Sequence, residues 1–457
     1  MRMQILVKWG VRLVVALVAI VVVGIGFVVA FPPELLRVGT GYAAKIICSN
    51  VFIAGRDADE VLRDDVQAPG HPLLRLIRAE VDLEQGIVRT SMLDMIAPSV
   101  ALHRQGLGCT PVSDAQIANA KGLTAPPAEA APADLSLPWP EGEAVQSGDP
   151  RLQSILADAA LIGPAARAVV VVKDGRIVGE TYAPGFNENT PLLGWSMTKT
   201  VTAALVGLMA GEGRLDVEAA QLFPEWSGDA RRDIKLTDLL AMESGISFNE
   251  SYGDVTDVTR MLYLEGDMGA YVASLPTEAA PGTRFKYSSG ETVLISRYWM
   301  SRFSERSEAL AYPRRALFDP IGMRSAVLEA DPTGTFVGSS YLYATARDWA
   351  RFGLLLADNG KWGEQQVLAP SFIERVNRPT TVSGGDYTQG QAWQNGPVDK
   401  DENYALPAET LWMLGHDGQS IAVIPSEGLV VVRLGLTPRS VGYRPQKLVQ
   451  AVREALK

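Results

Sequence analysis

The stretch "LLGWSMTKTVTAALVGLMAGEGRLD", Leu192 to Asp216, carries a single charge between Leu192 and Gly211, and that charge is Lys199. Its neighbours are apolar or small, so the run reads as a helix buried on most sides and stopped at Gly211-Glu212-Gly213. Isolated lysines are almost never fully buried. Ser196 lies three residues earlier, and i and i+3 share a helix face. In a first turn, the serine Oγ sits at the open helix end, where unpaired backbone N–H groups point. A serine hydroxyl is a weak nucleophile and needs a base. A lysine serves only when neutral, and apolar burial lowers its pKa in that direction. The bland alternative is a lysine that snorkels from a surface helix. The apolar context after Lys199 argues against it. The spacing is short enough to recur by chance, so it needs support from elsewhere in the chain.

Outward from this helix, the chain is β-rich at both ends. "RAVVVVKDGRIVGETY", Arg167 to Tyr182, is two β-rich runs around Asp174-Gly175, a strong hairpin signal. "SIAVIPSEGLVVVRLG", Ser420 to Gly435, is a second hairpin around Ser426 to Gly428. Arg444 to Lys457 has helical spacing, with Leu448, Val452 and Leu456 on one face. The middle, from Ser196 to about Asp358, is mostly helical in pattern. The expectation is an α/β (α+β) fold: an antiparallel sheet built from both ends, flanked by helices, with a mostly helical insert. This part, 150–457, reads as the main domain.

The N-terminus differs. Leu13 to Phe31 carries no charge and is long enough to cross a bilayer core as a helix. Arg2, Lys8 and Arg12 precede it and Glu34 follows, so the positive-inside rule puts the rest of the chain outside the cytoplasm. Residues 1–31 are therefore expected to be an anchor; the rival reading is a signal peptide cleaved after Ala30. Residues 32–149 form an N-terminal extension holding both cysteines, Cys48 and Cys109. Outside the cytoplasm a disulfide between them is expected; the alternative is two unrelated buried thiols. The extension ends in a Pro/Ala-rich segment, Thr124 to Asp149, which reads as an extended linker or a surface strap. The net charge of −10 disfavours nucleic acid as a partner.

Three ordered segments together resemble the penicillin-recognising serine hydrolases, the broad family of class C β-lactamases, D-amino-acid peptidases and related esterases and amidases. Ser196 and Lys199 match its SxxK. "RFKYSSGE" matches its Tyr-x-Asn as Tyr287, Ser288 and Ser289, and "LGHDGQS" matches its Lys/His-x-Gly as His416, Asp417 and Gly418. Each motif is weak alone and specific in combination. The resemblance runs from about Pro150 to the C-terminus. "LTDLLAMESGISFNESYGD", Leu236 to Asp254, and "SSYLYATARDWARFGLLLADNGKW", Ser339 to Trp362, look closest to the 6-aminohexanoate-dimer hydrolase-like branch.

The resemblance implies a β-lactamase/transpeptidase-like fold and cleavage of a small-molecule amide or ester through an acyl-enzyme. It makes Ser196 the nucleophile, Lys199 its proton acceptor and Tyr287 a proton relay to the leaving group. Which of Lys199 and Tyr287 holds the shared proton stays open. The oxyanion hole would use the backbone N–H groups of Ser196 and Gln419. Trp195, Ser289, His416, Asp417 and Gly418 would line the substrate, the third motif lying on a strand edge. Two departures matter. Ser289 replaces Asn, which shortens or removes a substrate-amide contact. His416 replaces a carboxylate-binding Lys, with Asp417 beside it, so β-lactams and D-amino peptides become the alternative substrates rather than the first. A non-catalytic acylated sensor is a further alternative. No metal-ligand cluster, phosphate loop or haem motif appears in the sequence, so no cofactor is inferred; His71 and His103 read as ordinary residues.

Overall fold

An unbroken apolar run satisfies its backbone most simply as a helix, and Arg2–Ala30 forms one, α1, in the computed structural model. The structure describes residues 2–126, 134–146, 148–394, 396 and 404–457. Arg12–Ala30 is apolar and long enough to cross a membrane, and none of it is buried against the rest of the protein. A membrane span and a signal sequence both have this character.

Pro32-Pro33 interrupts the helix, and α2, Glu34–Phe52, follows. Its buried face is built partly from small residues, Gly41, Ala43 and Ala44, beside Ile47 and Cys48. That lets α2 lie close against an antiparallel meander of β1 (Ile77–Asp82), β2 (Ile87–Met92), β3 (Ile96–Arg104) and β4 (Gly108–Val112), in sequential order. Cys48 on α2 and Cys109 on β4 are disulfide-bonded, with Cα atoms 6.0 Å apart, as the compartment argument expected.

This extension shares its main core with the remaining chain. Ala43, Ile47, Cys48 and Cys109 belong to the same apolar cluster as Met197, Leu205 and Trp349. A buried ion pair reinforces the join. Lys45 Nζ donates to Glu329 Oε2 at 2.5 Å and to Ser49 Oγ at 2.8 Å. Ser49 Oγ and the Cys109 N–H both donate to Glu329 Oε1, at 2.9 and 2.6 Å. Lys45 and Glu329 are fully buried, and burial pulls the Lys45 pKa down.

The Pro/Ala-rich segment is a strap where it is described; residues 127–133 and 147 lie outside the described residues. Trp139 is buried. Arg351 donates to the carbonyls of Pro140 (3.1 Å) and Gly142 (2.6 Å), and Arg347 to that of Glu143 (3.0 Å). These contacts leave residues 139–143 no freedom to act as a spacer.

The expected hairpins form. β5 (Ala166–Lys173) and β6 (Arg176–Tyr182) meet at Asp174 and Gly175, both at positive φ, as a tight two-residue turn requires. The insert then supplies α3 (Thr198–Gly211), α4 (Ser289–Met300) and α5 (Ala346–Ala357). The C-terminal part adds β7 (Leu411–Gly415), β8 (Gln419–Ile424), β9 (Leu429–Gly435) and α6 (Pro445–Leu456). The sheet runs β7-β8-β9-β5-β6, antiparallel throughout.

Alternate residues of each strand face opposite layers. Val169, Val171, Ala422 and Val431 pack on Leu448, Val449 and Val452 of α6. Val170, Val172, Val423 and Val432 point the other way, towards the core that holds α3 and α5. Burying a Leu or Val side chain of α6 contributes about 1.5–3 kcal/mol. Gly353 lets α5 approach closely: a Cβ there would lie 2.5 Å from Val430 Cγ1.

Candidate active site

The site begins with a short strand pairing. Leu192–Leu193 pairs with Tyr343–Ala344, and the Gly194 N–H donates to the Leu342 carbonyl at 3.0 Å. Gly194 has no room for a side chain, because a Cβ would meet the Trp349 ring at 2.2 Å. Trp195 then takes the left-handed conformation, φ 48°. For a bulky residue this costs on the order of 1–3 kcal/mol and persists only where packing imposes it. Here the indole lies against Tyr252, Tyr341 and His416, with ring centroids 6.5, 6.2 and 5.6 Å away. Trp195–Met197 form a 3₁₀ turn that runs straight into α3. Ser196 thus sits in the turn ahead of the α-helix, half-buried.

Lys199 is 1% exposed. Its Nζ lies 3.0 Å from each of Ser196 Oγ, Ser289 Oγ and the Ser339 carbonyl oxygen. Burial pushes its pKa down to about 8, against the opposing pull of Glu250. The lysine is therefore partly neutral near neutral pH and touches the Ser196 hydroxyl.

Tyr287 joins the pair. Lys199 Nζ is 4.8 Å from the centre of its ring, which stacks on Trp393 at 5.4 Å. Burial and then Glu250 raise the Tyr287 pKa, and the Ser196 hydroxyl pulls it the other way. The phenol keeps its proton where the lysine can lose one. Ser288 is occupied otherwise: it caps α4, its Oγ accepting from the Glu291 N–H at 3.2 Å.

Ser289, expected at the substrate, is instead fully buried inside the site. Its Oγ donates to Glu250 Oε1 at 2.5 Å and its N–H to Glu250 Oε2 at 2.7 Å. It therefore bridges Lys199 to a carboxylate. Glu250 is the residue that sequence reasoning missed. Burial raises its pKa, while Lys199 and the Ser289 hydrogen bonds lower it. It lies in the loop "ISFNESYGD", where no local pattern separates it from an ordinary exposed glutamate.

The third motif is close by but is not on a strand edge. His416–Gly418 form a turn between β7 and β8, with Asp417 at φ 56° and Gly418 at φ 78°. The His416 imidazole is 41% exposed, lies 4.7 Å from the Tyr252 ring centre, and holds Nε2 3.4 Å from Asp417 Oδ1. Asp417 is only 14% exposed. Burial raises its pKa, while His416, Arg167 and Arg433 lower it. Gly415 lies against the Gly194 carbonyl, where a Cβ would approach within 2.3 Å, so the end of β7 abuts the turn that holds Ser196. Gln419 opens β8, and its amide side chain is anchored to the Gly435 backbone in both directions.

Trp195, Tyr252, His416 and Asp417 line a cavity of about 570 Å³, within the range of small-molecule sites. Trp412 is a core residue. His71 Nδ1 accepts from the Leu73 N–H, and His103 stacks on Phe52.

A sheet from both chain ends, a helical insert and a Ser–Lys–Tyr cluster around a buried lysine where the two meet define the class of protein. Residues 159–450 match the Beta-lactamase family model, and the chain belongs to that family of hydrolases. It is 24% identical over 302 residues to the 6-aminohexanoate-dimer hydrolase of Paenarthrobacter ureafaciens, covering 59% of this chain and 72% of that one. Its fold resembles that of a protein from Bacillus anthracis described as a candidate 6-aminohexanoate-dimer hydrolase. That match has TM-score 0.54 and 22% identity, over 68% of this chain and 85% of the other. It also resembles a family VIII carboxylesterase, with TM-score 0.50 and 17% identity, over 68% and 99% of the two chains.

Proposed function

We propose that this protein is a serine hydrolase that cleaves an amide or ester bond through an acyl-enzyme on Ser196. The observation that carries the reading is the contact between Ser196 Oγ and a buried lysine, 3.0 Å away, whose pKa is held near 8. Neutral Lys199 accepts the Ser196 proton as Oγ bonds to the substrate carbonyl carbon. The carbonyl electron pair moves onto oxygen, stabilised by the backbone N–H groups of Ser196 and Gln419. Collapse of that intermediate breaks the C–N or C–O bond, and the leaving group takes a proton through Tyr287. Water then repeats the sequence and releases the acid. Ser289 and Glu250 hold Lys199 in place and set its charge.

Small-molecule amides and esters are the substrate class, as the names of the relatives indicate. In this reading α1 is an uncleaved anchor and the hydrolase part lies outside the cytoplasm. The basic residues Arg2, Lys8 and Arg12 before or at the start of the apolar run favour that orientation.

A fluorophosphonate probe tests the assignment. It is expected to label Ser196 alone, and Ser196→Ala is expected to lose labelling and turnover while keeping its circular dichroism. Labelling at Ser288 or Ser289 would refute the assignment. One-time acylation with no turnover on any amide or ester would favour an acylated sensor.

A further inference from the structure

The cavity beside the nucleophile turn is not closed by the hydrolase part alone. One end is formed by Trp195, His416 and Tyr252. Its outer wall comes from the N-terminal extension: Leu35, Leu36, Leu73, Leu74 and Met92. Leu35 and Leu73 are 41% and 38% exposed, an apolar rim left open to the outside. A soluble amide such as a short linear oligomer gives no reason for such a wall.

The position of that rim supplies the reason. Leu35 follows the apolar helix Arg12–Ala30 by five residues. Five residues span at most about 18 Å even when fully extended. The headgroup layer on each side of a bilayer is only about 5–8 Å thick. With α1 in a membrane, the mouth of the cavity is therefore tethered at the membrane surface. Phe31, 69% exposed, continues the apolar surface from the helix towards the rim. The Lys45–Glu329 pair and the shared apolar core fix α2 to the hydrolase part, and the disulfide ties α2 to β4 within the extension, so the wall is rigidly placed relative to Ser196.

We propose that this cavity takes the long apolar chain of a membrane-borne amphiphile, and that the substrate of Ser196 enters from the bilayer side. The inference rests on the serine hydrolase reading and on α1 as an anchor. It names the substrate class as an ester or amide attached to a hydrocarbon chain. The chain lies along Leu36, Leu74 and Met92, and its carbonyl reaches past Trp195.

The test uses the full-length protein in detergent with two matched ester series, one lengthening the acyl chain from two to twelve carbons and one lengthening the alcohol. Each buried methylene is expected to raise kcat/KM about fourfold until the cavity is full. At least one series should rise more than tenfold between the two- and eight-carbon members. Leu36→Asp and Leu74→Asp are expected to lower that long-to-short ratio tenfold or more. Leu73→Asp, on the exposed rim, should lower it as well and is insulated from folding defects. A second arm places the protein in phosphatidylcholine vesicles with a slowly exchanging sixteen-carbon fluorogenic ester. Hydrolysis should be at least tenfold faster when protein and ester share vesicles than when they occupy separate ones. Flat dependence in both series, with Ser196-dependent turnover intact, would overturn the inference and leave the hydrolase reading standing. Equal rates in shared and separate vesicles would overturn entry from the bilayer. Absence of any Ser196 labelling or ester turnover would overturn the hydrolase reading and the inference together.

Discussion

Glu250→Gln is the substitution with the sharpest expected signature, because it changes the charge beside the base without touching the nucleophile. Lys199 Nζ and Glu250 Oε1 are both bonded to Ser289 Oγ, at 3.0 and 2.5 Å, so they are no more than about 5.5 Å apart. At an effective dielectric constant of about 20, that separation is worth about 3 kcal/mol, or about 2 pKa units. The carboxylate stabilises the charged lysine, so removing it lowers the Lys199 pKa further below its value of about 8. Catalysis needs the neutral amine, so kcat/KM should rise with pH through the Lys199 pKa and level off above it. With a neutral ester over pH 5–10, wild-type protein should show a midpoint near 8. The variant's midpoint should fall by about 1–2 units, with a gain of about tenfold to fiftyfold at pH 6. Gln cannot accept from both Ser289 donors, so global stability should drop by about 1–3 kcal/mol in denaturant unfolding. A folded variant whose midpoint has not moved would show that Glu250 is uncharged in the working enzyme, and the relay through Ser289 would fail as an electrostatic device.

Asp417→Asn should change the preference between matched amine-bearing and carboxylate-bearing substrates less than about threefold in kcat/KM, because Arg167 and Arg433 already offset part of its charge. A tenfold change would mean that the carboxylate acts on the substrate directly. Native protein from the membrane fraction should hold no alkylatable thiol, and the double replacement of Cys48 and Cys109 by serine should cost about 4 kcal/mol of stability. Glu329→Gln should destabilise the fold by about 3–5 kcal/mol, because it strands a buried lysine. A loss below about 1 kcal/mol in urea unfolding would show that Lys45 is neutral and independent of the pair.

Much of the fold was legible because its signals are local. Asp174-Gly175 fits a two-residue turn whatever surrounds it, and the periodicity of Leu448 and Val452 identifies an apolar helix face without reference to its partner. Ser196 and Lys199 are also local: one helical turn brings them together, and the apolar flanks announce that the lysine is buried. Which groups surround that lysine was not legible. Glu250 and Ser289 are 39 residues apart in the chain, and Lys45 and Glu329 are 284 apart. Such pairs meet only when separate elements pack, and neither member carries a local pattern that distinguishes it from a solvated charge. The setting of the third motif was not legible for the same reason. The resemblance put His416 to Gly418 on a strand edge, but the left-handed Asp417 and Gly418 make a turn instead, and Arg167 and Arg433 from other strands act on the carboxylate. Sequence determined the Ser196–Lys199 pair and the two hairpins of the sheet; tertiary packing decided the charge around the pair and which elements line the cavity beside it, since both depend on distances that only the folded chain sets.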